Sequence, residues 1–283
     1  MKSEPNRSLP EPKSSELKLR IISALVLGTI TLATIYWGGW IFIGFVLILF
    51  LAMVWEWGHM SRDASWDWIA LLQGATGVCS VVFLYLGHVN YSVFILLLLA
   101  AIFFAISRRR QDFIWVGFGL LYLGPPAIAL VYLRQADTSG AILVFYLCLI
   151  VWMTDSMAYF VGRHFGGPKL WPRVSPKKTW SGALGGLGGA ILVALLFQLT
   201  LIQSFDPTVV MVAICLSVAC QLGDLLESSL KRHFDRKDSS QLIPGHGGVL
   251  DRVDGLIMVV VAAALYAWAS GASHPAHALL GTS

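Results

Sequence analysis

The sequence predicts an all-α fold, a polytopic integral membrane helical bundle of about nine transmembrane helices with a cytoplasmic N-terminus. Three observations lead there. Apolar residues make up 57% of the chain and charged residues 13%, against about a quarter charged in a soluble domain. The apolar residues gather into runs close to the ~20 residues that a helix needs to cross a hydrocarbon core ~30 Å thick. Once those runs are threaded through a membrane, the basic residues fall almost entirely on one side.

Taken in order, residues 1–20 form a polar tail with Pro5, Pro10 and Pro12. Its long charged stretch, with no small-residue cleavage site after a short apolar core, reads as a retained tail rather than a signal peptide. Spans are expected at 21–37, 40–56, 66–87, 91–107, 113–133, 139–162, 182–203, 207–230 and 249–270. The second follows a very short Gly38-Gly39 turn and has Glu56 at its end. The fifth contains Gly124-Pro125-Pro126, expected to break or kink it, because proline lacks an N–H and crowds the preceding turn. Backbone groups freed there need other partners. Cys79, Cys148, Cys215 and Cys220 lie inside apolar runs with no CxxC spacing, so they read as small buried hydrophobes rather than disulfides or zinc ligands.

With the N-terminus inside and nine spans, every Lys and Arg except Arg134 faces the cytoplasm. They lie in the tail, at Arg62, at Arg108 to Arg110, in the segment Arg163 to Lys178, and from Lys231 to Lys237 with Arg252. The positive-inside rule predicts this asymmetry, and removing one span would scramble it.

Ionisable groups inside spans are costly and usually mark function. Here they are Glu56, Asp155, Asp224, Glu227, Asp251 and Asp254. Glu56 reads equally as a boundary residue. Asp155 reads as functional, as a helix–helix hydrogen bond or as a pair with an Arg. Asp224, Glu227 and Ser228 share one helix face, which Lys231 extends. Asp251 and Asp254 are spaced alike on the next helix. Two such carboxylate pairs can converge, and oxygen ligands in a phosphate-handling site suit Mg²⁺. A buried ion-pair network with Lys231, Arg232 and Arg252 is the structural alternative.

Two loops mix basic residues with glycine, proline and hydroxyls. One runs from Gly162-Arg163-His164 through Ser175-Pro176-Lys177-Lys178-Thr179-Trp180-Ser181-Gly182, the other from Lys231 through Lys237-Asp238 to His246-Gly247-Gly248. Glycines let backbone N–H groups approach a phosphate, and Lys and Arg supply countercharge. Thr179 or Ser181 can cap the seventh span. His246 reads as a phosphate contact, a proton carrier or a structural residue; His164 and His233 read as loop residues. A basic loop that orients the chain and attracts anionic lipid is the plainer alternative. No Walker A, GxGxxG or HExxH pattern is present, so soluble NTPase, dinucleotide and zinc-protease readings lack support.

The stretch from Ser228-Ser229-Leu230-Lys231-Arg232 through Lys237-Asp238-Ser239-Ser240 and Ile243-Pro244-Gly245-His246-Gly247-Gly248-Val249-Leu250-Asp251-Arg252-Val253-Asp254 resembles the signature of the phosphatidate cytidylyltransferases, or CDP-diacylglycerol synthases. Asp155 to Arg163 and Ser175 to Trp180 look like two further blocks of that family, and Leu19-Arg20 to Ser23-Ala24 like the start of its first helix. Ser181 departs from the Glu or Gln expected after the tryptophan. The resemblance implies that CTP and phosphatidate give CDP-diacylglycerol and diphosphate, in phospholipid biosynthesis at a cell (inner or plasma) membrane. It implies Mg²⁺ held by Asp224 and Asp251, is compatible with a monovalent cation such as K⁺ beside it, and extends to a homodimer. Membrane lipid, not nucleic acid, is the expected surroundings.

The expected catalytic residues are then Lys231, Arg232, Asp251, Arg252 and Asp254. The expected substrate-binding residues are Asp155, Ser175, Lys177, Lys178, Thr179, Ser228, Lys237, His246, Gly247 and Gly248. The chain divides into a cytoplasmic tail (1–20), N-terminal transmembrane helices (21–135), C-terminal catalytic helices with the two basic loops (136–271) and a tail (272–283). A transporter of an anionic substrate is the rival class, but no internal repeat is seen and the charges cluster at one interface. The DGxxAR pattern of the CDP-alcohol phosphotransferases is absent.

Overall fold

The computed structural model describes residues 13–64, 67–107, 112–134, 138–245 and 247–281. Arg108 to Arg110, His246 and most of the N-terminal tail lie outside the described residues. Ten α-helices and one β-hairpin follow in order. They are α1 (Lys13–Trp37), α2 (Gly39–Arg62), α3 (Trp68–Tyr85), α4 (Val89–Ser107), α5 (Asp112–Arg134), α6 (Thr138–Phe165), β1 (Lys169–Trp171), β2 (Ser175–Thr179), α7 (Trp180–Phe197), α8 (Pro207–His233), α9 (Leu250–Ser270) and α10 (Pro275–Leu280). A π-helical turn, Gln198–Ile202, extends α7. Among the described residues, eight helices, α2 to α9, are long and apolar enough to cross a membrane; the apolar part of α1, Ile21–Trp37, is shorter.

The helical class holds, with one addition in a loop: β1 and β2 pair antiparallel, with Lys169 opposite Thr179 and Trp171 opposite Ser175. Three expectations need correcting. The α5 helix runs through Pro125 and Pro126 without ending. Two missing N–H groups leave two carbonyls of the preceding turn without their helical donors, a loss that a helix packed among neighbours tolerates. The second span continues past Glu56 to Arg62, so Glu56 lies within the helix, fully buried. Cys148 and Cys220 are buried, but Cys79 and Cys215 lie on the exposed flanks of α3 and α8.

The packing explains how distant parts of the sequence meet. The α6 and α7 helices lie against each other along their length, as do α8 and α9, while α3 and α4 lean on α5. Hydrocarbon gives little hydrophobic drive to helix association, so small residues that permit close contact decide where helices meet. A Cβ on Gly182 would sit 2.7 Å from the Ala158 carbonyl of α6. The α5 helix contacts both α2 and α9. One core therefore joins the two halves of the chain, with Phe50, Trp57, Leu147, Leu216 and Val259 all in it. Leu98, Leu184, Leu222 and Trp268 point outward, as suits helices surrounded by lipid.

The turn between α1 and α2 is held by Arg134, the basic residue expected on the far side. Its Nε donates to the Ile35 carbonyl at 2.8 Å, so this guanidinium caps the C-terminal end of α1.

Candidate active site

The charged side chains of α8, α9 and β2 converge. Asp224 sits on α8, and Ser228, one turn on, donates to its Oδ1 at 3.3 Å. Lys178 at the end of β2 forms an ion pair with the Asp224 carboxylate. Lys231, a further turn along α8, places its Nζ 2.7 Å from Asp251 Oδ1 and 2.6 Å from Glu227 Oε2. The Glu227 carboxylate is buried, and this ion pair joins successive turns of α8. Asp155 on α6 is exposed and has Cys220 Sγ of α8 at 3.8 Å. Asp254 accepts from its neighbouring Gly255 N–H at 2.8 Å. The helices can bring these groups together because α8 presents Gly223 to α9. A Cβ there would lie 2.5 Å from the Asp254 carbonyl.

The two oxygens of Asp251 do different things. Oδ2 accepts from Ser239 N–H at 3.0 Å, Ser239 Oγ at 2.9 Å and Gly248 N–H at 2.8 Å. Oδ1 faces Lys231. The loop fixes one oxygen and leaves the other toward the cationic side of the site.

Beside this cluster, the loop before α9 forms an open polar cleft of about 640 Å³, lined by Lys237, Asp238, Gly247 and Arg252 among others. The predicted residues thus fall into two adjoining groups. Asp224, Ser228, Lys178, Lys231 and Asp251 form the first. Lys237, Gly247 and Arg252 line the second, and the Gly248 N–H ties the two together. Lys177, Ser175, Arg232 and Thr179 stand elsewhere. Lys177 is exposed on β2, where successive side chains point to opposite faces, so it points away from Lys178. Ser175 sits at the other end of that strand. Arg232 is exposed on the other side of the α8 end and donates to the Arg236 carbonyl at 3.3 Å.

Thr179 is the cap of α7, accepting from Gly182 N–H at 3.1 Å. Its own hydroxyl proton goes to Ser181 Oγ, 3.0 Å away, because the Ser181 hydroxyl donates to the Gly166 carbonyl. Ser181, the departure from the family pattern, therefore ties the hairpin's approach to the start of α7.

One residue that sequence reasoning left undecided enters the site from α2. Glu56 is fully buried and accepts from Ser240 Oγ, Val249 N–H and Leu250 N–H at 2.6 to 2.7 Å, with Ser239 Oγ 3.2 Å away. Its sequence signal was only a carboxylate in an apolar run.

The arrangement offers hard oxygen donors and ammonium groups, a chemistry that binds phosphates and hard cations. Among the described residues no three His, Cys, Asp or Glu side chains converge closely enough to hold a metal ion by themselves. Mg²⁺ commonly takes only one or two carboxylates, with waters and substrate phosphates completing its shell. Asp224 and Asp251, each already facing an ammonium group, fit that requirement.

The cytidylyltransferase family profile matches residues 18–270. The chain belongs to that family. A Brucella abortus protein named phosphatidate cytidylyltransferase is 41% identical over 252 residues, covering 89% of this chain and 93% of that protein. A Bacillus subtilis protein of the same name is 40% identical over 180 residues, 62% of this chain and 66% of the relative. A Staphylococcus epidermidis protein, also so named, is 32% identical over 267 residues, 86% of this chain and 96% of the relative. The chain is thus a multi-pass membrane nucleotidyltransferase of the cytidylyltransferase family.

Proposed function

We propose that this protein is a phosphatidate cytidylyltransferase: it joins CTP and phosphatidate to give CDP-diacylglycerol and diphosphate. The observation that carries the reading is the cluster of Asp224, Asp251, Lys178 and Lys231 on a chain that matches the family over most of its length. In this reaction the phosphate oxygen of the lipid forms a bond to the α-phosphorus of CTP, and the bond to the β,γ-diphosphate breaks. A phosphate monoester is anionic at neutral pH, so no strong base is needed. The protein's task is to position the two substrates and to offset their charge.

Each residue has a place in that task. Asp224 and Asp251 would hold Mg²⁺, with Asp251 using the oxygen not committed to the loop. Bound there, Mg²⁺ supplies charge neutralisation on the phosphate oxygens. A monovalent cation such as K⁺ is part of the same proposal. Lys231 stands where it can hold the lipid phosphate or the departing diphosphate. Lys178 stands where it can pair with the triphosphate. Lys237, Arg252 and the backbone at Gly247 line the cleft as anion contacts. Asp155, Asp254, Ser228 and Thr179 act at the edge of the cluster by shaping it. The single-sided distribution of Lys and Arg supports nine spans, α1 included, a cytoplasmic N-terminus and a site at the cytoplasmic face, where water-borne CTP can meet a membrane-bound lipid. A homodimer belongs to the same family reading.

The test uses the purified full chain in detergent with phosphatidate and CTP. Product formation that stops with EDTA and returns with Mg²⁺ is expected. No product, with flux of an anionic substrate in vesicles, would favour the transporter class instead.

A further inference from the structure

We propose that Glu56, on the N-terminal half of the chain, is a positioning residue for the reaction. Its buried carboxylate seats the loop before α9 so that Asp251 keeps one oxygen directed into the site. This rests on the function proposed above.

The geometry of Glu56 is unusual for a membrane-buried carboxylate. Such groups are expensive and are kept where hydrogen bonds fully satisfy them. Oε1 accepts from Ser240 Oγ at 2.6 Å and from Val249 N–H at 2.7 Å. Oε2 accepts from Leu250 N–H at 2.7 Å, and the Ser239 hydroxyl, whose single proton points to the nearer Asp251 Oδ2, lies 3.2 Å away. The two N–H groups open α9, whose first turn has no side-chain cap of its own. A helix start leaves such N–H groups without partners and carries partial positive charge, so an anion there is favourable. Glu56 is therefore a cap supplied from a distant helix.

Its link to Asp251 is direct. The Ser239 hydroxyl lies within reach of both carboxylates, 3.2 Å from Glu56 and 2.9 Å from Asp251. Gly248, whose N–H donates to Asp251, passes so close that a Cβ on it would lie 2.9 Å from the Glu56 carboxyl carbon and closer still to Ser239 Oγ. Glu56, Ser239, Gly248 and Asp251 form one packed unit. Two further contacts hold the other end of the loop to α2. Trp57 stacks edge-on against Phe234 at 6.0 Å, and Asp63 pairs with Arg236.

The test compares wild type, Glu56→Gln and Ser240→Ala as full chains in detergent. A glutamine turns its amide NH₂, a donor, toward one of the two α9 N–H groups, so at least one backbone bond is lost. Residues that orient a metal ligand cost about 10–100-fold in activity or metal affinity when changed. Glu56→Gln is expected to lower kcat by about that factor and to raise the half-saturating Mg²⁺ concentration, with KM for CTP within about threefold. In metal-free protein, amide exchange at Gly248, Val249 and Leu250 should quicken. Ser240→Ala removes one of the three bonds and should give a few-fold version of both changes. A Glu56→Gln protein with lower thermal stability but wild-type kcat and Mg²⁺ response would overturn the proposal. So would unchanged exchange in Ser240→Ala if Glu56→Gln does not fold. If wild type makes no product, the assigned reaction itself fails and the positioning role falls with it, whereas an active wild type beside an unaffected Glu56→Gln overturns only the role of Glu56.

Discussion

At the residue scale, the site turns on which oxygens and ammonium groups are free to meet a phosphate. Asp224→Asn and Asp251→Asn should each lower activity by more than the ~10–100-fold typical of an outer partner, with membrane insertion intact. Assays of purified variants at saturating Mg²⁺ check this, and retained turnover in either would remove that residue from the metal set. Lys178 and Lys177 separate sharply. Only Lys178 reaches Asp224, and charge-assisted contacts are worth ~1.5–3 kcal/mol. Lys178→Ala should therefore reduce kcat/KM for CTP by about tenfold or more, and Lys177→Ala should stay close to wild type. The two lysines were indistinguishable in the sequence, because a glycine- and proline-rich stretch gave no sign of the strand that turns them apart. Glu56 was undecidable for a related reason. Its partners lie at Ser239, Ser240, Val249 and Leu250, and no local pattern encodes a cap delivered across the fold. By contrast, Asp224, Ser228 and Lys231 were legible, because helical periodicity alone puts them on one face.

At the element scale, the site depends on how closely α8 and α9 approach. Gly223→Ala places a Cβ against the Asp254 backbone, which cannot rotate away as a flexible side chain can. The helices must part, and shifts of ~1 Å at a reacting centre can cost ~10²-fold in rate. Gly223→Ala is expected to lose activity by that order while the protein still inserts; near wild-type kcat would show that α8 and α9 have slack. Helix positions followed well from runs of apolar residues, since the bilayer imposes their length. What those runs could not reveal was continuity. Proline chemistry predicted a break or a kink at Pro125-Pro126; α5 does not break there, because neighbouring helices on both flanks hold it. The end of α2 was placed at Glu56 for a similar reason. A charge looked like a boundary, but its hydrogen-bond partners come from the loop before α9.

At the scale of the whole molecule, the two halves of the chain share one core, and the loop of the C-terminal half rests on α2. The bundle class, the rough span positions and the signature stretch were all legible, since composition and charge placement record the bilayer directly. The interlocking of the halves was not, because packing between helices leaves little trace in any one run. Sidedness is testable in intact cells. A cysteine introduced as Lys237→Cys, in a background lacking Cys79 and Cys215, should resist a membrane-impermeant maleimide added outside. One introduced as Ala272→Cys should react. The reverse pattern would invert the topology and move the site away from the CTP pool.

The most direct test of the central claim follows the label in CTP. Incubation of the purified chain with phosphatidate, Mg²⁺ and CTP labelled at either the α- or the γ-phosphate should send α-label into chloroform-extractable CDP-diacylglycerol. The γ-label should leave wholly as diphosphate. Transfer of γ-label to the lipid, or no lipid label from either CTP, would contradict the assignment.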